Sequence, residues 1–309
     1  MHDLLEARHH LLQAGDIEEV GQVTEGICLQ LGTWGAWDQE AALIHDTLAR
    51  LPAGSPRRAA HIHQLGMLAQ NRGDYEEAAR QYQRALDISE RLGNQAGMAS
   101  GYHNLGILAQ ARGDYEEAAR QYQRSLDINE RLGNQAGMAN SYGQLGNLAQ
   151  DRGDYEEAAR QYQRALDIFE RLGDQAGMAT SYGQLGILAQ ARADYDEAAR
   201  QYQRALDIDE RLGDQAGMAT SYSQLGNLGA DRGGPAAAVI AWHVRALAIR
   251  LQLGIPQAMN NLRRLAGCRR ELGAEPFVGL LAQAAGDTEL AETITSLLDQ
   301  VDATDDGTA

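Results

Sequence analysis

Shifted by 40 residues, the chain lies on itself: residues 61–100, 101–140, 141–180 and 181–220 are near-copies, and the last two differ at only five positions. A fifth, more divergent copy opens at Ser221. This self-similarity restricts the fold more than any composition does. Each copy must be one supersecondary unit that buries its apolar face only against its neighbours, as in a solenoid.

Each unit reads as two helices. In the second, helix A spans about Gln95 to Ala111, with Met98, Tyr102, Leu105, Gly106, Leu108 and Ala109 recurring at three- and four-residue steps. Helix B spans about Tyr115 to Leu132, burying Tyr115, Ala118, Ala119, Tyr122, Leu126 and Ile128, and Gly133 stops it.

Between the two helices lies Arg-Gly-Asp, at residues 72–74, 112–114 and 152–154. The fourth copy reads Arg192-Ala193-Asp194 and the fifth Arg232-Gly233-Gly234, edits that an adhesion signal would not survive. A helix–turn–helix explains the tripeptide locally. Gly73 takes the left-handed position after helix A. Asp74 caps helix B, and Glu77 is placed to complete a capping box. Arg72 suits the negative end of the helix A dipole. Glu76, Arg80 and Arg84 step along an exposed face at i, i+4.

The units resemble the tetratricopeptide repeat. Tyr102-x2-Leu105-Gly106-x2-Ala109 stands where that family has Trp-x2-Leu-Gly-x2-Tyr, and Ala118-x3-Tyr122 where it has Ala-x3-Phe. The period departs from the usual 34 residues, and the closing proline is absent. That variant resembles the repeats of kinesin light chains and of bacterial STAND-type (NB-ARC-like) ATPases. The resemblance implies an all-α, right-handed superhelix of antiparallel helix pairs, an α-solenoid with atypical helical caps. It also implies protein or peptide binding in a concave groove lined by the A helices.

The flanks depart from the repeat, as end caps must. Residues 1–55 form a degenerate N-terminal repeat: helices at 3–14 and 17–31 break at Gly15-Asp16, and 37–51 resembles a helix B stopped by Pro52. Trp34 and Trp37 are expected to pack this cap. Ser55 and Pro56 open the next helix as cap and first-turn proline. Five units then fill 56–254. In the fifth, Pro235 starts helix B, and its later part is displaced by one residue, Ala246 lying 41 residues after Ala205. This irregularity marks the C-terminal side as the place where the array opens first. Helices near 256–272, 276–285 and 287–301 make a C-terminal cap, with a disordered tail at 302–309.

The near-copies disagree mainly along helix A. One position reads Met67, Ile107, Asn147, Ile187, Asn227, and four residues on it reads Asn71, Ala111, Asp151, Ala191, Asp231. Four residues earlier it reads His63, His103, Gly143, Gly183, Ser223, and three before that Ala60, Ser100, Asn140, Thr180, Thr220. These steps define one helical stripe. Drift on an exposed surface is one reading; diversification of a ligand surface is the other. Helix B is exposed too and barely varies, which favours the second. Units two and four share Ile and Ala on the stripe, and three and five share Asn and Asp, so doubling of an 80-residue pair accounts for part of the pattern.

The candidate ligand-binding residues are His63, Met67, Gln70, Asn71, His103, Ile107, Gln110, Asn140, Asn147, Gln150, Asp151, Thr180, Ile187, Gln190, Thr220, Asn227 and Asp231. Gln70, Gln110, Gln150 and Gln190 form a ladder of amides able to bond an extended backbone. Asp151 and Asp231 favour a basic ligand.

No catalytic constellation or cofactor signature accompanies them. Phosphate-loop, dinucleotide and zinc motifs do not occur. His63 and His103 can face each other across units, but groove polarity explains them better than a metal. The net charge of −16 argues against nucleic acid and anionic membrane as partners. The opening MHDLLEARHH lacks the basic-then-apolar pattern of a signal peptide. Two distant cysteines, Cys28 and Cys268, suit free thiols in a cytoplasm.

These features predict a non-enzymatic binding scaffold, best set as the sensor region of a STAND-type ATPase. The start within a helix-like segment is expected of a fragment. Self-association and contact with an ATPase part are further partners that setting allows. Rival readings are a stand-alone adaptor and a regulatory subunit of a separate effector such as a protease. The irregular ends argue against a designed consensus array.

Overall fold

The computed structural model describes residues 1–306, with side chains through Asp302. Among them there are sixteen α-helices and no strand. The chain divides into two compact units, Met1–Arg152 and Gly153–Ala309. The first holds α1 (His2–Ala14), α2 (Ile17–Thr33), α3 (Trp37–Arg50), α4 (Pro56–Asn71), α5 (Tyr75–Leu92), α6 (Gln95–Ala111), α7 (Tyr115–Leu132) and α8 (Gln135–Asp151). The second holds α9 (Tyr155–Leu172), α10 (Gln175–Ala191), α11 (Tyr195–Leu212), α12 (Gln215–Asp231), α13 (Ala236–Leu253), α14 (Ala258–Leu272), α15 (Ala274–Ala285) and α16 (Thr288–Asp306). Helix A and helix B of the second repeat have the bounds expected from periodicity.

The helix pairs of the first four repeats are closed by the same turn. The helix ends at Asn71, Gly73 turns left-handed at φ 79°, and Asp74 accepts a bond from the Glu77 amide at 3.0 Å. Ala193 stands in that turn in the fourth repeat and is the sole described non-glycine residue with positive φ, at 60°. The capping box is only half made. The Asp74 amide donates to Ala69 O at 2.9 Å, and the Glu77 carboxylate turns instead to Arg80 and Gln81. The exposed charge pairs are therefore Glu77–Arg80 and its copies at i, i+3, not the expected Glu76–Arg80 steps. The turn arginines reach back to the preceding repeat: Arg72 to Asp38, Arg152 to Glu116, Arg232 to Asp196 and Arg112 to the Tyr75 carbonyl. That contact, rather than adhesion, occupies the arginine of Arg-Gly-Asp.

Packing explains the motif. Tyr122 is fully buried among Ala109, Ala118 and Leu148, so one patch joins α6, α7 and the next A helix, α8. Gly106 is glycine because an added Cβ would lie 2.6 Å from the Tyr122 ring. Tyr82 with Leu108, and Tyr202 with Leu228, repeat the arrangement.

The ends differ from expectation. α16 runs to Asp306, so residues 302–306 are helical, while 307–309 lie outside the described residues. Trp34 is 66% exposed and packs little of the cap; buried Val20, Ile27, Cys28 and Ile44 do so instead. α13 is long and apolar enough to cross a membrane by composition. Its Ile240, Val244 and Leu247 instead meet Leu265, Phe277, Leu281 and Leu298 in an apolar core.

Candidate ligand-binding face

In the first unit, α4, α6 and α8 open a cavity of about 470 Å3 lined by His63, Met67, His103, Asn129, Asn134 and Asn140. In the second, α10 and α12 open one of about 310 Å3 above α11, lined by Thr180, Ile187, Asp209, Asp214, Thr220 and Gln224. Asn227 borders a further cavity of about 530 Å3 between α12, α13 and α14. The predicted stripe thus supplies walls to all three.

His63 and His103 share the first cavity, but their rings lie against Tyr82 and Tyr122 at 5.1 and 6.0 Å. Asn104 contacts His63 Nε2 at 3.0 Å. Burial lowers both histidine pKa values, which favours neutral rings. Ile107 and Ile187 pack partly into the apolar core. The Thr180 and Thr220 hydroxyls bond back to Ala176 O and Ala216 O. Asn71 is exposed and Asn147 half-buried.

The amide ladder requires a correction. The Tyr82, Tyr122 and Tyr202 hydroxyls donate to the carbonyl oxygens of Gln70, Gln110 and Gln190 at 2.9, 2.8 and 2.7 Å. Gln110 then donates its amide to Asp151 at 2.7 Å, and Gln190 donates to Asp231 at 2.6 Å. Gln110 and Gln190 are thus links in Tyr–Gln–Asp relays between repeats, not free amides awaiting a peptide, while Gln70 accepts from Tyr82 only. Asp151 and Asp231 each give one acceptor to the scaffold and remain exposed carboxylates. Gln150 holds the same position in the third repeat and also has a partner. The positions 41 residues after Gln70 and Gln150, where Gln110 and Gln190 find Asp151 and Asp231, are Ala111 and Ala191, so the alternation along the stripe is partly a pattern of cohesion.

The residue that most distinguishes the cavities lies on helix B. Ser89, Asn129, Phe169 and Asp209 occupy one position, the only one in this helix at which the four close copies all differ. Each side chain reaches beneath the first turn of the following A helix, against Gly97, Gly137, Gly177 or Gly217. An added Cβ at Gly217 would lie 2.6 Å from the Asp209 carboxyl carbon. Asn129 floors the first cavity with an amide, whereas Asp209 floors the second with a carboxylate. Asp209 is 6% exposed, and burial lifts its pKa to about 6 against a hydrogen bond from Ser221 at 3.3 Å. The variation among copies was visible in sequence; what hid it was the uniformity of the surrounding helix.

The sequence matches the tetratricopeptide repeat family over residues 57–131 and 137–211. No curated protein matches the chain. BtubC (BKLC) from P. vanneervenii shares the fold at TM-score 0.62 and 26% identity, over 71% of this chain and 92% of that one. A signal transduction ATPase with numerous domains (STAND) protein with a tetratricopeptide repeat sensor, from Pyrococcus horikoshii, does so at TM-score 0.70 and 15% identity. That likeness covers 92% of this chain but 44% of the STAND protein. The apo form of RapI matches at TM-score 0.66 and 14% identity, over 89% of this chain and 98% of its own. With its motif positions filled as the helix-pair packing requires, its repeats matched in sequence and its fold shared with these structures, the chain belongs to the tetratricopeptide repeat family.

Proposed function

We propose that this protein binds a peptide segment of a partner protein on the A-helix face, without catalysis, as the cytoplasmic ligand-sensing part of a STAND-type ATPase. The observation that carries the binding reading is the pair of open cavities with constant packing around them and a different floor residue in each. A surface that reads a ligand on a fixed frame has this form. Fold likeness to a STAND protein with a tetratricopeptide sensor supports the setting.

Phe169 shows which substitution the frame tolerates at the floor. Asn129→Phe with Asp209→Phe fills both cavities with a side chain already present at that position in a sister repeat. Peptides selected from a displayed random library on the parent should bind this variant at least about tenfold more weakly, a change of 1.4 kcal/mol. Equal retention by both proteins, with unchanged circular dichroism, refutes the binding face. A reading frame running upstream into a nucleotide-binding domain supports the STAND setting; its absence from the full gene favours an adaptor.

A further inference from the structure

The fifth repeat gives up the pair that closes the others. By the one-residue displacement, His243 takes the place of Tyr202, and Ala230 replaces Gln190. The imidazole lies against Gly226, where a Cβ would be 2.8 Å from Nε2. No glutamine oxygen meets it. The cavity of about 530 Å3 opens beside it, and three arginines, Arg250, Arg263 and Arg264, line it without a single carboxylate among the lining residues.

None of these arginines forms an ion pair among the described residues. Arg250 is 8% exposed, and its guanidinium donates to Asn261 Oδ1 and, at 3.4 Å, to Gln257 O. A buried guanidinium held only by neutral acceptors pays desolvation with little Coulombic return. The Asn261 amide donates to Ser223 Oγ and His243 Nδ1, each at 3.1 Å. Nδ1 thus accepts, and the proton of the neutral ring sits on Nε2, which is buried and without a partner. Burial and the neighbouring arginines hold His243 down to about 4, so the ring stays neutral near pH 7. A cation-lined, amide-lined cavity with an unpartnered buried donor fits one ligand chemistry. An oxyanion would receive the arginine forks and compensate the buried charge.

We propose that the cavity between α12, α13 and α14 binds an oxyanion, a carboxylate or a phosphoryl group, carried by a peptide partner. The proposal rests on the peptide-binding reading, because the same α12 face lines both this cavity and the one floored by Asp209 through Thr220 and Gln224. It adds what that reading lacks, an acidic group as the partner's anchor at the C-terminal end of the repeats.

The test uses the full chain and three acetylated, amidated peptides that differ only in a central Glu, Gln or phosphoserine, with inorganic phosphate as a fourth probe. Binding is followed by calorimetry and by the Asn261 side-chain amide in nitrogen–proton spectra. Either acidic peptide should bind saturably and shift that amide, and the stronger of the two identifies the source of the oxyanion. The Gln peptide should bind at least about tenfold more weakly, as loss of a charge-assisted bond predicts. Arg263→Gln with Arg264→Gln alters exposed side chains, so folding is retained, and should weaken the acidic peptide at least about tenfold. Arg80→Gln, at an exposed ion pair on α5 outside all three cavities, should leave it unchanged. Equal binding of the Gln peptide, binding of inorganic phosphate but of neither acidic peptide, or indifference to the arginine variants overturns the proposal. Library peptides that still depend on Asn129 and Asp209 would then leave the binding face standing without this anchor.

Discussion

Replacing Ala193 by glycine should stabilise the protein. Ala193 holds φ 60° in a turn where Gly73, Gly113 and Gly153 hold 78–79°. The alanine sits nearer the centre of the left-handed well, and its Cβ still crowds the carbonyl there, at about 1–2 kcal/mol. Nothing else in the turn depends on the methyl group. The residue is exposed, its amide donates to Gln190 O at 2.9 Å, and the Asp194 amide donates to Ala189 O at 2.9 Å; glycine keeps both bonds. Against the relief stands glycine's greater freedom in the unfolded chain, about 0.4–1 kcal/mol. The net gain is on the order of 0.5–1 kcal/mol. Gly153→Ala is the mirror experiment and should lose a similar amount. Because repeat arrays can open unit by unit, urea denaturation should be paired with native-state hydrogen exchange across the first turn of α11. If Ala193→Gly fails to slow exchange there and Gly153→Ala costs nothing, left-handed strain does not operate in this turn.

Ala111→Asp should supply Gln70 with the acceptor that Asp151 gives Gln110, raising the free energy of unfolding in urea by about 0.5–1 kcal/mol; an unchanged value would argue against the relay as cohesion. Gln110→Ala leaves the buried Tyr122 hydroxyl unpaired and should cost about 1–3 kcal/mol in the same assay. Asp209 has a folded-state pKa raised to about 6, above its unfolded value, so the stability it contributes is complete below about pH 4 and is lost as pH rises through 6. Asp209→Asn should therefore flatten the melting temperature between pH 4 and 7, and an unaltered pH profile would show the carboxyl to be solvated. α1 buries no residue, whereas the largest apolar cluster lies at residues 240–301, so hydrogen exchange should be fastest in α1 and slow in α13–α16. That order reverses the expectation drawn from Gly233, Gly234 and Pro235, and fastest exchange in α13 would restore it.

Local features of this fold were legible because they repeat and because each has a local cause. Helix bounds followed from caps and apolar spacing, and the left-handed turn at Ala193 followed from glycine in its sister repeats. The Tyr–Gln–Asp relays were not legible, since Gln110 and Asp151 stand 41 residues apart and meet only through helix packing. Reading Gln110 as a free amide was the natural error. Position 89 and its copies were overlooked for another reason. A residue that points beneath the next A helix looks, in sequence, like one exposed residue among many on helix B. Trp34 misled through its size: a large apolar side chain at an array end need not find anything to cover it.

The three-helix patches also bear on how the chain is made. Tyr82 is enclosed only when Leu108 arrives, and Tyr122 only when Leu148 does. A chain leaving the ribosome therefore always trails one unfinished apolar seam, of nearly constant size, however many repeats have already folded behind it. The seam does not grow with length, so adding repeats does not enlarge the surface at risk of aggregation during synthesis. It is closed when α14–α16 emerge and Leu265, Phe277 and Leu298 cover α13. Synthesis halted after any repeat would leave the same open seam, and the last helices act as the stop that ends it.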